Sequence, residues 1–263
     1  MGVITDIHEG YLEGLNIAGR MLDNKDEIFE SSENHFFELK ETQDNVNRLA
    51  LGDNVEYMKW LINNGYKDKL RLIYIDPPFF TKTKYNASVV LNDNSGKKYK
   101  IHHLAYDDTF ESNLKLYIEN ITCRLVLMKE LLASDGTIWV HLDWHSLHYV
   151  KIIMDEIFGE KNFINEIIWK YKSGGSSHKH FSKKHDVILV YSKSNKYYLN
   201  VPKEKSYNRN LKPYRFKGVK EFKDEYGWYT MVNMKDVWSI DMVGRTSKER
   251  NGYATQKPLE LLE

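Results

Sequence analysis

The sequence predicts an open, mixed α/β sheet with a basic lobe beside it. Short apolar segments at Leu49–Leu51, Leu72–Ile75, Thr137–Leu142, Phe163–Tyr171 and Asp186–Tyr191 read as strands. Between them, Leu114–Ala133 and the segment ending at Phe158 carry apolar residues at helical spacing. Residues 195–250 then change character: Lys and Arg alternate with aromatics and no long helical period survives.

Composition narrows the class. Of 263 residues 41% are apolar, enough for a real core, and Cys123 is the only cysteine, which excludes a disulfide framework or cysteine-rich zinc site and fits a reducing cytoplasm. No signal-like N-terminus and no membrane-length apolar run is present. The net charge of +1 conceals an asymmetry: residues 1–60 hold 5 Lys and Arg against 13 Asp and Glu, whereas 170–257 hold 20 against 8. The basic end is the candidate nucleic-acid surface.

In chain order, residues 1–45 are acidic with apolar residues such as Tyr11, Leu15, Ile17 and Leu22 at helical spacing, and read as one or two helices in a packing arm. Leu49–Leu51 is a short strand ending at Gly52-Asp53-Asn54 before a helical Val55–Leu61. Asp53 at the carboxyl end of a parallel strand reaches into a ligand crevice, and Asp-Asn is equally a helix N-cap. Leu72–Ile75 suits a strand packed on both faces, with Asp76 where it gives out. Pro77 and Pro78 have no N–H to donate and fix φ, so the chain leaves as a stiff turn with free carbonyls, followed by Phe79. A carboxylate, a free carbonyl and an aromatic face are the groups that hold a planar base bearing an exocyclic amine.

Phe80–Asp108, with its Lys-rich runs, reads as a mobile loop over that site. Cys123 lies within the Leu114–Ala133 helix as a core or surface thiol rather than a nucleophile. His141, His145 and His148 lack an accompanying carboxylate pattern, so packing and polar roles are expected and no metal. Ser173-Gly-Gly-Ser-Ser-His-Lys-His joins two strands, and Lys172, Lys179 and Lys183 on its flanks are placed to follow phosphates. In the aromatic-basic region Arg209, Lys212 and Arg215 join them as DNA-binding candidates, beside Tyr214, Phe216, Phe222 and Trp228. Tyr253–Glu263 is a helix entrance with Pro258 in its first turn.

Leu72-Ile-Tyr-Ile-Asp-Pro-Pro-Phe79 resembles the DPPY/DPPF motif of amino-directed, S-adenosylmethionine-dependent DNA methyltransferases. Leu49-Ala-Leu-Gly-Asp-Asn upstream, and Arg124–Leu132, Asp135–His145 and Tyr253-Ala-Thr-Gln-Lys-Pro258 downstream, look like further segments of that family in its permuted (beta) order, covering roughly residues 45 to 263. The resemblance implies a Rossmann-like methyltransferase sheet: a helical arm at 1–45, a partial catalytic core at 46–194, a target-recognition region at 195–250 and the start of a cofactor-side helix at 251–263. It implies methyl transfer to the adenine 6-amino group of double-stranded DNA. Asp76, Pro77, Pro78 and Phe79 are its catalytic residues, and Asp53, Thr255, Gln256 and Lys257 lie beside S-adenosylmethionine. The family's Asn-Thr-Gly after the motif is replaced here by Phe80-Thr-Lys, and Ala254 stands where proline is common.

No two of the 15 glycines are two positions apart, so the family's Asp-Pro-Phe-x-Gly-x-Gly cofactor loop is not found before Glu263. The expectation is a truncated, split or proteolysed enzyme, inactive alone and binding cofactor weakly or not at all. The segment order resembles modification subunits of restriction systems, which admits a restriction endonuclease subunit or a second copy as partner. Two alternatives stand beside this reading. One is methylation of the cytosine 4-amino group, for which Ser rather than Asp is usual at the first motif position; the other is a non-catalytic DNA- or partner-binding fragment.

Overall fold

The computed structural model describes residues 2–23, 35–40, 46–92, 98–175, 177–244, 246–251, 253 and 255–263, with 35–40, 46, 85–92 and 98–107 represented by backbone alone. Ala254 therefore lies outside the described residues.

The chain opens with helix α1 (Val3–Asp23), whose buried stripe is Gly10, Gly14 and Ala18. Strand β1 (His35–Lys40) then pairs antiparallel with β2 (Val46–Leu51). This corrects two expectations. Residues 35–40 are extended rather than helical, and β2 stands in a separate hairpin instead of the main sheet. Leu49 and Leu51 are exposed, so their apolar run reflects one face of a ribbon rather than a buried strand. Helix α2 (Asn54–Leu61) follows, capped by the Asp53 side chain.

The central sheet has five strands: β3 (Leu70–Ile75), β6 (Leu132–Leu142), β7 (Phe163–Lys170), β8 (His185–Ser192) and β12 (Val237–Ser239), in the spatial order β12-β7-β8-β6-β3. β3 and β6 run parallel, β8 runs antiparallel to both β6 and β7, and β12 adds in parallel to β7. The mixed α/β sheet thus matches the fold expected for a methyltransferase. The register puts β3, β6 and β7 in one direction, so the loops after Ile75, Leu142 and Lys170 leave from a common edge.

Residues 187–191 of β8 are all buried, as a strand covered on both faces requires. β3 departs from that expectation: it ends the described sheet, and Leu72 is exposed. Helix α3 (Leu114–Leu131) makes the crossover from β3 to β6, starting where Asn113 accepts from the Lys115 and Leu116 amides. Its Ile118, Ile121, Leu125 and Met128 fill the core at the predicted period. Helix α4 (Leu147–Phe158) packs through Val150, Ile153, Met154 and Ile157. α1 lies across α3, and glycine is required there: a Cβ on Gly14 would stand 2.6 Å from the Thr122 Cβ.

Two further sheets flank this core. Strands β4 (Lys84–Asn92) and β5 (Lys98–Asp107) form an antiparallel hairpin where the Lys-rich composition suggested a mobile loop. The basic region contains β9 (Lys203–Tyr207), β10 (Glu221–Lys223) and β11 (Trp228–Asn233), a three-stranded sheet in the order β10-β11-β9. Its polar and aromatic residues alternate at a strand period too short to register as a helix. The chain closes with one turn of helix, α5 (Leu259–Leu262), for which Pro258 is the N-cap residue. No helix among the described residues is long and apolar enough to cross a membrane.

Candidate active site

The Asp76 corner is built from both sides of the sheet edge. Asp76 and Pro78 are exposed, Pro77 and Phe79 are half-buried, and Phe80 is buried. Tyr117, itself buried, donates its hydroxyl to the Pro78 carbonyl at 3.1 Å; burial holds this phenol well above the usual tyrosine range, so it remains a donor. Phe80 stacks on Tyr117 with ring centroids 5.2 Å apart.

Phe80 and Lys82 adopt left-handed backbone at φ 61° and 59°, a conformation that costs a non-glycine residue about 1–2 kcal/mol. Asp108 offsets that strain. Its buried carboxylate accepts from the Phe80 amide at 2.9 Å, the Thr81 amide at 2.8 Å and the Thr81 hydroxyl at 2.6 Å. The backbones also exchange bonds, Lys82 N–H to the Asp108 carbonyl and Asp108 N–H to the Thr83 carbonyl. The turn after the two prolines is therefore clamped.

Behind Phe79 lies a polar chain. The Phe79 ring stacks on fully buried His141 at 5.8 Å and 17°. His141 Nδ1 is 2.8 Å from the Tyr74 hydroxyl, and its Nε2 is 3.2 Å from Asp186, which also accepts from the Tyr171 hydroxyl at 3.0 Å. Burial, with the Asp76 and Asp186 charges adding to it, raises the Tyr74 phenol far above its ordinary value. Tyr74 is thus a proton donor, and the neutral Nε2–H form of His141 satisfies both of its neighbours. Trp169 meets the imidazole edge-on at 5.4 Å.

Lys257 reaches the same corner from the far end of the chain. Its ammonium donates to Asp76 Oδ2 at 2.8 Å and stands 5.3 Å from the Phe79 ring centroid. Asp76 Oδ1 accepts no hydrogen bond among the described residues, and the side chain is 31% exposed. Thr255 and Gln256 lie apart from this contact: the Gln256 amide bonds the Asn251 N–H and the Glu249 carbonyl, bracing the turn before α5.

A cavity of about 490 Å³ opens beside the corner. Asp53, Asp76 and Asn120 supply its polar lining, and Ile75, Ile121 and Met128 its apolar one. Asp53 does two things at once. It caps α2 by accepting from the Val55 amide at 2.8 Å, and its carboxylate stands 3.3 Å from Arg124, whose Nε donates to Asn54 at 2.7 Å.

The basic candidates fall into two groups. Lys172, Lys179 and Lys183 are exposed on the loop after β7; Lys172 faces Asp241 at 3.7 Å, and the Lys183 ammonium sits 3.2 Å over the Trp144 ring. Arg209, Lys212 and Arg215 are exposed on the loop between β9 and β10. That loop is anchored by Glu221, which accepts from the Tyr214 and Arg215 amides at 2.8 Å each and from Asn208. Those bonds hold the Glu221 carboxyl below its usual range.

Among the described residues no group of His, Cys, Asp and Glu is disposed to hold a metal ion. His145 bonds Asp143 at 2.6 Å, and buried Cys123 has its thiol raised by desolvation, in keeping with an inert role. Sequence reasoning missed Asp108, Tyr117, His141, Asp186 and Arg124 as members of the site. Only His141 carried a signal, an ionisable residue at a buried position of a strand.

A DNA methylase family matches residues 70–263. The Mod subunit of the type III restriction-modification enzyme EcoP15I of Escherichia coli is 29% identical over 167 residues, 59% of this chain and 25% of that protein. The type II methyltransferase M.EcaI of Enterobacter cloacae is 36% identical over 160 residues, 60% of this chain and 32% of the relative. The type II methyltransferase M.HpaI of Haemophilus parainfluenzae is 25% identical over 216 residues, 82% of this chain and 57% of the relative. The chain thus spans about a quarter to a third of the length of the first two.

Proposed function

Because the chain belongs to the DNA methylase family, we propose that it forms the base-receiving part of a modification methyltransferase that methylates the adenine 6-amino group in double-stranded DNA. The observation that carries this reading is the exposed Asp76 carboxylate, with Oδ1 open, fixed beside the Phe79 face at the end of β3.

An exocyclic amine is a poor nucleophile because its lone pair is delocalised into the ring. Asp76 Oδ1 and the Pro77 carbonyl, accepting the two N–H bonds, favour a pyramidal nitrogen and stabilise the positive charge that develops on it. Asp76 takes up or relays the proton the amine sheds. Phe79, held against His141, stacks on the extruded base and fixes its plane.

The family implies S-adenosylmethionine, which supplies the methyl group when bound. The residues lining the cavity fit it: the volume lies in the range of ligand sites, Asp53 and Asn120 can bond an adenosine, and Asp76 places negative charge where a sulfonium is favoured. Gly52 also brings bare backbone to the cavity wall. Asp53 and Lys257 are the proposed cofactor-side contacts, Lys257 through its grip on Asp76, with Thr255 and Gln256 shaping the turn that presents it. Lys172, Lys179, Lys183, Arg209, Lys212 and Arg215 are the proposed phosphate contacts. The Mod-subunit relatives support a place in a restriction-modification system, with a nuclease subunit and a second copy of the chain as the partners to assay.

Replacing Asp76 by Ala in the protein that carries this chain is expected to abolish methylation of DNA while leaving duplex binding within about threefold. Nucleoside analysis of the product distinguishes 6-methyladenine from 4-methylcytosine. Methylation retained by the variant would reject the assignment, and 4-methylcytosine would replace the adenine reading.

A further inference from the structure

Phe181 is the most exposed large apolar residue among those described, 98% open to solvent. It stands near the tip of the 171–184 loop that joins β7 to β8, among exposed His178, Lys179, His180 and Lys183. The base of that loop is tied down. Lys184 donates to the Ser173 carbonyl at 2.9 Å, the Ser173 hydroxyl at 2.8 Å and the Gly174 carbonyl at 2.7 Å, and the Tyr171 amide bonds the Lys184 carbonyl. Beside the tip, Lys183 rests on the Trp144 ring, which stacks on His145 at 3.7 Å. A phenyl ring held in water on a braced support, with cations around it, is a surface built for a partner that offers both negative charge and a flat apolar slot. Duplex DNA offers both.

Position supports the same partner. The 171–184 loop and the Asp76 corner leave the same edge of the sheet, because β3 and β7 run in one direction. Two strands, β6 and β8, separate them, which at the usual strand spacing sets the two loops roughly 14 Å apart. A base turned out of the stack toward Asp76 leaves a gap in the duplex on the side where Phe181 stands.

Resting on the reading of the Asp76 corner as the base-receiving site, we propose that Phe181 is a wedge that enters the duplex stack at the gap left by the extruded base, with Lys179 and Lys183 on the flanking phosphates. The ring replaces the stacking that extrusion breaks, and so lowers the cost of holding the base outside.

The test uses the protein that carries this chain and a duplex containing its methylation site as mapped on modified DNA. One duplex carries 2-aminopurine in place of the target base; another pairs the target with an abasic site, which removes the pairing that extrusion must break. Wild type is expected to raise 2-aminopurine fluorescence on binding. Phe181→Ala, with an unchanged thermal midpoint, is expected to lose most of that rise and to methylate the paired duplex at least tenfold more slowly. On the duplex with the abasic site its rate should return to within about twofold of wild type. Wild-type behaviour of Phe181→Ala on the paired duplex overturns the wedge, and so does a loss of equal size on both duplexes. Absence of a fluorescence rise in wild type itself sinks the base-receiving reading and the wedge with it, a result separable from failure of the wedge alone.

Discussion

Replacing Asp108 by Ala removes three hydrogen bonds at once from the turn that follows the two prolines. Bonds to a charged acceptor contribute about 1.5–3 kcal/mol each, which taken singly would sum to roughly 6 kcal/mol. Two effects reduce the total. Thr81 is only half-buried, so water can reach its amide and hydroxyl, and deleting a buried carboxylate also removes that group's own desolvation cost. One effect adds to it: the left-handed Phe80 backbone loses the contacts that hold it, while the Phe80 amide is left buried with no partner in reach. We expect a net loss of about 4 kcal/mol, a large part of a usual folding stability. At about 2–4 °C per kcal/mol for a domain of this order of size, the thermal midpoint should fall by about 8–16 °C. Asp108→Asn keeps one acceptor but sets an N–H₂ against a donor, and should fall between the two. Scanning calorimetry on the three proteins checks the order. A midpoint for Asp108→Ala within about 3 °C of wild type would show that Asp108 does not hold the turn.

His141→Phe preserves the stack under Phe79 but deprives the Tyr74 hydroxyl and Asp186 of their shared partner; a loss of about 2–3 kcal/mol in denaturant unfolding is expected, with kcat for methyl transfer falling more than KM rises. A wild-type unfolding midpoint would remove His141 from the site. Gly14→Val drives a Cβ to 2.6 Å from Thr122 Cβ and 2.7 Å from the Glu119 carbonyl, and should cost about 1–3 kcal/mol and expose α1 to limited proteolysis. Gly19→Ala on the same helix meets open space and should instead gain up to about 1 kcal/mol, so equal effects would refute the close approach. In the basic sheet, bonds from Lys205, then Tyr207 and the Tyr226 amide, lower Asp224 to about 2. Its folded-state value lies below the ordinary one near 3.9, so its stabilising contribution is complete above about pH 4 and is lost as pH falls toward 2. Amide exchange in residues 203–233 should therefore accelerate across that window in wild type and not in Asp224→Asn; identical profiles would refute it.

What the sequence made legible follows from how local each signal is. α3 and α4 declare themselves by apolar residues a helical turn apart, and β8 by an unbroken apolar run, because a covered strand needs nothing from its neighbours to be recognised. β4 and β5 were obscured by their lysines. Charge suggested a solvated loop, although Val89-Val-Leu and Ile101-His-His-Leu on either side of Asn92–Gly96 carry strand-forming residues around a turn. Leu49–Leu51 misled in the opposite direction, since three apolar residues do not reveal which strand they will pair with. The Asp76 corner was readable because proline restricts its own backbone and that of the residue before it. Its supports were not: Asp108 lies 28 residues from Phe80 and Tyr117 lies 39 from Pro78, separations that no period records. Lys257, 181 residues from Asp76, was noticed for a resemblance and turned out to hold the carboxylate itself.

The corner also explains why its first residue faces water and its last does not. Extended backbone alternates its side chains, and from Asp76 to Phe79 exposure alternates accordingly: open, half-covered, open, half-covered. Continued for one more residue, that rule would turn Phe80 outward beside Asp76 and Pro78. The left-handed φ at Phe80 breaks the alternation and sends the ring inward onto Tyr117, which in turn holds the Pro78 carbonyl. The exposed carboxylate and the buried anchor are thus two ends of one five-residue device, and Asp108 is what stabilises the break between them. Glycine at position 80 would adopt that φ without strain and yet abolish the anchor. If the anchor matters more than the strain, Phe80→Gly should lose about 3–5 kcal/mol, as a large-to-small core change does, instead of gaining the 1–2 kcal/mol that relief of the backbone alone would give. Its sign in chemical denaturation decides between the two.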